Sequence, residues 1–197
     1  MERKFEFTGT GGELFGKFIV GGILTGITLG IYLPWFIVNL TKYVCDKLVL
    51  KTEAGDVKIQ FNGTGGQLFG TYIVGGILTV VTLGIYAPWF MVKLTKFFLE
   101  NESATGPDGT NYNLQFNGSG GSLFGTYLVG VILTGITFGI YAPWFMVNLT
   151  KYYVQNTAIL SNGAEVGSLA FNGEGGELFG TYLVGAILTA ITFGIYS

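Results

Sequence analysis

Residues 61–89 read FNGTGGQLFGTYIVGGILTVVTLGIYAPW, and close copies of this stretch begin at Phe7, Phe116 and Phe171. The repeat is about 55 residues long, and a period in this range is typical of proteins built as arrays of one supersecondary unit. The structure of one repeat should therefore determine the fold of the whole chain. We divide the chain into repeat 1 (residues 1–58), repeat 2 (59–113), repeat 3 (114–168) and a truncated repeat 4 (169–197).

Each copy contains a long run of apolar or small residues, which covers residues 14–31 in repeat 1. A helix of this length rises by about 27 Å, close to the thickness of the hydrocarbon core of a bilayer. Of the 197 residues, 49% are hydrophobic and only 11% are charged, and the mean hydropathy is +0.53. This composition favours lipid over water as the surrounding solvent.

A proline follows each of the first three runs and should end the first helix, because proline disfavours helical backbone in the residue before it. In repeat 1 a second helix should cover about residues 35–45, but it is apolar for barely two turns before Asn39 and Lys42. The helical hairpin therefore either crosses the bilayer with its second helix lining a wet interior, or dips into one leaflet. The residues assigned to the hairpin turns are Pro34, Trp35, Pro88, Trp89, Pro143 and Trp144.

Between the helical stretches, apolar and polar residues alternate around glycine-containing turns, a pattern that predicts β-hairpins. The whole chain should contain seven strands and seven helical segments. An open sheet cannot satisfy its backbone groups in lipid, and the lysines lie on the side of the strands, which the positive-inside rule places in the cytoplasm. We therefore predict a membrane α+β fold, with tandem repeats of a membrane-inserted helical hairpin that alternates with a cytoplasmic-side β-hairpin.

One face of the first helix is constant across the four copies. A glycine and two threonines recur with spacings of four and three residues, which puts them on a single helical face. We interpret this face as a helix-packing seam, although it would also suit the polar lining of a solute path. Its residues are Gly21, Thr25, Thr28, Gly75, Thr79, Thr82, Gly130, Thr134, Thr137, Gly185, Thr189 and Thr192.

The motifs F-x-G-x-G-G-x-L-F-G and L-G-I-Y-x-P-W, followed by Lys-Tyr or Lys-Phe, resemble the YjgN-like family of bacterial inner-membrane proteins, whose function is unknown. The resemblance covers most of the chain through its repeats. It implies a polytopic protein of the bacterial inner membrane, and it carries no known reaction. The fourth copy stops at Tyr196-Ser197 without its Pro-Trp, which departs from the family pattern.

Several kinds of chemistry lack the residues that they need. The chain has no histidine and a single cysteine, Cys45, so the usual nitrogen and sulfur metal sites are absent from the sequence and no cofactor is expected. A net charge of −2 without a basic cluster argues against nucleic acid as a partner. No side chains are arranged as nucleophile and base, so we do not expect an enzyme. Candidate contacts to lipid headgroups are Lys17, Lys42, Lys96 and Lys151.

Together these features predict a non-enzymatic integral membrane protein that self-associates and organises or curves the bacterial inner membrane, with the charged β layer facing the cytoplasm. Membrane lipids and further copies of the chain are the expected partners. The last repeat ends without a second helix, so it should leave an edge that another subunit could fill. The alternative is a small channel or transporter lined by the repeated threonine face.

Overall fold

The computed structural model describes residues 4–193, and within them the chain forms the predicted seven strands and seven helices. In chain order the elements are β1 (Lys4–Phe7), α1 (Gly11–Ile27), α2 (Leu33–Lys47), β2 (Leu48–Thr52), β3 (Gly55–Phe61), α3 (Gly65–Val81), α4 (Ala87–Glu100), β4 (Glu102–Thr105), β5 (Asn111–Phe116), α5 (Gly120–Ile136), α6 (Ala142–Gln155), β6 (Thr157–Ser161), β7 (Ala164–Ser168) and α7 (Gly175–Ile191).

The predicted fold class, a membrane fold with inserted helical hairpins, is wrong. Among residues 4–193, no helix combines the length and the hydropathy that crossing a membrane requires. The apolar run of residues 14–31 is longer than the helix that it forms, because α1 ends at Ile27 and Leu29 takes a left-handed backbone conformation with φ of 51°. The observed architecture is α+β, a seven-stranded sheet with seven helices.

The seven strands form one sheet in which the spatial order is the chain order. From β1 to β5 the neighbouring strands are antiparallel, with Phe7 opposite Leu48 and Phe61 opposite Glu102. The turn between β6 and β7 consists of Asn162 and Gly163, whose φ angles of 50° and 83° suit the two-residue turns of tight hairpins. The strand connections thus alternate between short turns and pairs of helices.

The chain divides into two compact units. The first comprises residues 1–116 and 158–167 and holds α1 to α4 and most of the sheet, and the second comprises residues 117–157 and 168–197 and holds α5, α6 and α7. The core of the first unit consists of Val38, Cys45, Phe61 and Leu68. The Phe61 ring lies 5.9 Å from the Phe97 ring in an edge-on arrangement, which joins β3 to α4.

Polar side chains begin each glycine-rich helix. The Thr64 hydroxyl accepts a hydrogen bond from the Gln67 amide at 3.3 Å, and the Gln67 side chain accepts one from the Thr64 amide at 3.0 Å. Thr10 and Glu13 form the same reciprocal pair at the start of α1. Such a capping box satisfies amide groups that a helix leaves without partners in its first turn.

Candidate functional site

The constant glycines of the first three repeats each face an aromatic ring on the following helix. A Cβ atom on Gly21 would overlap the ring of Phe36, one on Gly75 would overlap Phe90, and one on Gly130 would overlap Phe145. No atom of residues 4–193 lies close to the place that a Cβ on Gly185 in α7 would occupy. In the first three repeats, a side chain at this position would therefore push the two helices of a pair apart.

The threonine at the end of each first helix is bonded within the chain. The Thr82 hydroxyl donates to the Leu78 carbonyl at 2.7 Å and accepts from the Tyr86 amide at 2.9 Å, so it connects the end of α3 to the start of α4. Thr28 and Thr137 make the same two kinds of bond in repeats 1 and 3. In α7, Thr192 donates to the Leu188 carbonyl at 2.7 Å.

The threonine in the middle of the constant face behaves differently from one repeat to the next. Thr79 donates to the Gly75 carbonyl at 2.7 Å. The hydroxyl oxygens of Thr25 and Thr134 are buried and have no hydrogen-bond partner among residues 4–193. Thr189 is half-buried on α7. The threonine hydroxyls of the predicted face that lie near the turns, those of Thr28, Thr82 and Thr137, thus form hydrogen bonds with the backbone.

The turns between paired helices fall before the Pro-Trp pairs rather than at them. Pro34, Pro88 and Pro143 are buried within the first two residues of α2, α4 and α6. Trp35, Trp89 and Trp144 therefore lie in the first turn of the second helix rather than in the loop. The Trp35 ring packs on Gly65 and lies 5.1 Å from the Phe69 ring, so it contacts the first helix of the next repeat.

Each turn instead presents a large apolar side chain to the surroundings. Leu29, Leu83, Phe138 and Phe193 have φ angles of 51°, 51°, 49° and 50°, and their side chains are 94%, 94%, 97% and 98% exposed. Side chains at such φ angles are disfavoured by roughly 1–2 kcal/mol, which is why glycine usually occupies this position after a helix. The predicted turns at the Pro-Trp pairs do not include these residues, whose sequence signal is the Leu-Gly or Phe-Gly pair after each threonine.

A cleft of about 810 Å³ lies between α1 and α2 in the first unit. Its apolar wall includes Val20, Gly21 and Phe36, while Lys17 and Lys42 line its other part. An equivalent cleft of about 480 Å³ lies between α5 and α6 in the second unit. That cleft is lined by Gly125, Thr126, Val129, Gly130, Tyr141, Asn148, Lys151, Tyr152 and Gln155.

The structure therefore brings two of the predicted headgroup contacts, Lys17 and Lys42, to a single cleft. Lys151 lines the equivalent cleft of the second unit, where Thr126 replaces Lys17. Lys96 is half-buried on α4 and lines neither cleft. The two clefts thus share their construction and differ in the number of lysines.

Hydrogen bonds hold the polar end of the first cleft in place. The Tyr43 hydroxyl donates to Oε2 of Glu13 at 2.9 Å, and Nζ of Lys47 lies 4.0 Å from the same oxygen. The pKa of Glu13 is lowered, chiefly by the Tyr43 hydrogen bond, then by the Thr10 amide and by Lys47. Burial, followed by the bond to Glu13, raises the pKa of Tyr43. Glu13 is therefore a carboxylate at neutral pH.

The cations of the first cleft differ in their partners. Nζ of Lys17 lies 5.1 Å from the centre of the Tyr43 ring, a favourable cation–π contact. Within residues 4–193, neither Lys17 nor Lys42 has a carboxylate within 4.0 Å, in contrast to Lys47. No carboxylate of the described residues therefore neutralises Lys17 or Lys42, and both positive charges can attract an anion that enters the cleft.

Residues 4–193 contain no cluster of three or more His, Cys, Asp or Glu side chains suited to hold a metal ion. Cys45 is buried in the core, and burial raises the pKa of its thiol to about 11. Since the thiolate is the reactive form of cysteine, this side chain is held in its unreactive form at neutral pH.

These features define an α+β repeat protein with exposed apolar turns and a basic cleft between paired helices. The chain belongs to the family described as "Bacterial protein of unknown function (DUF898)", whose model matches residues 2–54, 56–107 and 111–165. The predicted resemblance to the YjgN-like family is thereby confirmed.

Three relatives carry the name "Inner membrane protein YjgN". The protein of Salmonella typhimurium strain LT2 is 34% identical over 95 residues, which is 48% of this chain and 23% of the relative. The protein of Escherichia coli O157:H7 is 34% identical over 71 residues, and that of Escherichia coli K12 is 39% identical over 46. These last two matches cover 36% and 23% of this chain, and 17% and 12% of the relatives. No solved structure matches the chain.

Proposed function

We propose that this chain is a non-enzymatic protein that associates with the bacterial inner membrane, self-associates there and organises or curves it. The names of the three relatives support the location. The matches cover less than a quarter of each relative's length, so the proposal concerns what this chain does by itself.

The repeated apolar turn is the observation that carries the proposal. Leu29 and Leu83 are almost fully exposed, and their backbone conformation is one that glycine or asparagine adopts more easily. In water such a residue strains the backbone and exposes apolar surface, and neither effect stabilises the fold. Contact with lipid would remove the apolar side chain from water, which is worth about 1.5–3 kcal/mol for a fully covered leucine. Because the apolar turn recurs along the chain, the free energies of the individual lipid contacts would add together.

Exposed apolar faces on the glycine-rich helices support self-association. Val20, Ile23 and Ile27 are all exposed on α1 and lie on one side of it, because they are three and four residues apart. Monomeric soluble proteins rarely expose contiguous apolar patches of more than a few hundred Å². The neighbouring Gly22 and Gly26 have open space around their Cβ positions, which would let a helix of a second copy approach closely.

The charged sheet would then face the cytoplasm. Lys51 pairs with Asp56 at 2.6 Å across the β2–β3 hairpin. Such exposed pairs add little stability, but they keep the strands suited to water rather than to lipid. This orientation is part of the proposal, and its physical basis is that an open sheet keeps its charges and its unpaired backbone groups in water.

The channel alternative has weaker support. A solute path lined by threonines needs hydroxyl groups that are free to bind the solute. The hydroxyls of Thr28, Thr82 and Thr137 are already bonded to the backbone within their own repeats. Those of Thr25 and Thr134 have no partner among the described residues, but they are buried. The structural role therefore fits the geometry better.

The test uses purified chain mixed with vesicles of phosphatidylglycerol and phosphatidylethanolamine. We expect the chain to float with the vesicles, to form oligomers by analytical ultracentrifugation, and to deform vesicles in electron micrographs. The double variant Leu29→Asn/Leu83→Asn should float less, whereas Val166→Asn, at an exposed position on β7, should behave as the parent chain. A monomer that leaves vesicles unbound and unaltered would overturn the proposal.

A further inference from the structure

The two ends of the cleft between α1 and α2 differ in charge and polarity. Glu13, Lys17, Lys42 and Lys47 lie towards the ends of the helices that join the strands, because β1 precedes α1 and β2 follows α2. Val20 and Phe36 lie closer to the turn between the two helices. The cleft is thus basic at one end and apolar at the other, which is the arrangement of charge and apolar surface that an anionic amphiphile would match.

The charges inside the cleft favour an anion at one place. Glu13 already accepts hydrogen bonds from Tyr43 and Thr10, and it lies beside Lys47. Lys17 and Lys42 remain without a carboxylate partner in the described part of the chain. Asp46 also lines the cleft, and its exposed carboxylate opposes an anion there.

The third repeat gives an independent observation, because the same cleft forms again between α5 and α6. Gly130, Tyr141 and Lys151 occupy the places of Gly21, Tyr32 and Lys42. The second cleft is smaller, about 480 Å³ against about 810 Å³, and it lacks a counterpart of Lys17. The first and third repeats thus both build a cleft beside a glycine that faces an aromatic ring, and the first repeat supplies the second cation.

We propose that the α1–α2 cleft binds one anionic phospholipid, with Lys17 and Lys42 at the headgroup phosphate and the acyl chain against Val20, Gly21 and Phe36. This inference rests on the proposed membrane association and assigns it a specific lipid site. The apolar wall favours a lipid over free phosphate, which has no acyl chain to cover that wall.

The test measures binding of a short-chain lipid below its micelle concentration, so that no membrane surface is present. Dihexanoyl phosphatidylglycerol is titrated into the full chain by calorimetry, with dihexanoyl phosphatidylcholine and inorganic phosphate as the other ligands. We expect saturable binding of phosphatidylglycerol with one tight site, weaker binding of phosphatidylcholine, and no binding of inorganic phosphate. If inorganic phosphate binds as tightly as dihexanoyl phosphatidylglycerol, the assignment of a lipid to this cleft is overturned.

Charge variants locate the site. Lys17→Gln and Lys42→Gln should each weaken binding about fivefold, the usual contribution of one lysine near an anionic headgroup. Lys58→Gln removes the same charge from the exposed strand β3 and should leave the affinity unchanged. Asp46→Asn should strengthen binding. Equal losses for Lys17→Gln and Lys58→Gln would show attraction by net charge alone and would overturn the proposal.

A gain-of-site variant tests the role of the second cation. Thr126→Lys places a lysine in the α5–α6 cleft at the position equivalent to Lys17. The stoichiometry of tight binding should rise from one to two, and an unchanged stoichiometry would contradict the inference. Vesicle flotation without binding of the short-chain lipid would refute this site and leave the proposed function standing. Short-chain binding without flotation or assembly would refute the proposed function alone.

Discussion

The hydroxyl of Tyr43 donates a 2.9 Å hydrogen bond to Glu13, which lies 30 residues earlier in the chain. This bond joins the second helix of repeat 1 to the first turn of the first helix. Glu13 also accepts a bond from the Thr10 amide at 3.4 Å. One carboxylate thus serves both the helix cap and the packing of the helix pair.

The lowered pKa of Glu13 predicts a pH-dependent stability. Because its pKa in the folded chain lies below the ordinary value of 4.5, its contribution is fully present above that value and is lost as the pH falls through the folded pKa. Glu13→Gln should therefore be less stable than the parent at pH 7, and the difference should shrink at acidic pH. Urea unfolding at a series of pH values measures this. Glu177→Gln is the matched control in α7, and an equal loss at every pH would contradict the prediction.

Alanine substitutions at Gly75 and Gly76, which are neighbours in α3, should change the free energy of unfolding in opposite directions. Gly75→Ala puts a Cβ into the Phe90 ring, and the overpacking cost of about 1–3 kcal/mol should exceed the gain of about 1 kcal/mol in helix propensity. Gly76→Ala meets open space and should raise the free energy of unfolding by up to about 1 kcal/mol. Urea unfolding followed by circular dichroism compares the two, and changes of the same sign would show that Gly75 does not pack as described.

The numbers of strands and helices could be predicted because their signals are local. Alternation around Gly55 and the pair Asn162-Gly163 mark the hairpins, and the apolar runs mark the first helices. The fold class could not be obtained in the same way. Hydropathy counts apolar residues without regard to backbone conformation, and it included Leu29 in a helix that the structure ends at Ile27.

The place of the turn and the composition of the cleft depend on contacts that sequence patterns do not contain. Proline predicts both the end of one helix and the first turn of the next, and Pro34 does begin α2, but this pattern does not determine which residues form the turn. Lys17 and Lys42 could each be selected as a headgroup contact. Their meeting in one cleft follows from the packing of Gly21 against Phe36, which aligns the two helices.

The hydroxyl bridge at the end of α3 predicts a loss of stability when it is removed. Thr82→Val keeps the shape of the side chain but deletes the bonds to the Leu78 carbonyl and the Tyr86 amide. We expect the free energy of unfolding to fall by about 1–3 kcal/mol, since each such bond is worth about 1 kcal/mol. Thr71→Val is the control, because its exposed hydroxyl makes a long bond of 3.4 Å. Similar losses in both variants would argue against a special role for the bridge.

The exposed turn predicts that stability and membrane binding respond in opposite directions to one substitution. Leu83→Asn relieves a backbone strain of about 1 kcal/mol, because asparagine tolerates positive φ, so the free energy of unfolding should rise. The same change removes an apolar side chain that is 94% exposed, so flotation with vesicles should fall. Ile85→Asn separates the two effects: Ile85 is also exposed in this turn but lies outside the positive-φ residues, and its substitution should lower flotation without raising stability. If Leu83→Asn stabilises the fold and leaves flotation unchanged, the strained leucine serves some role other than contact with lipid.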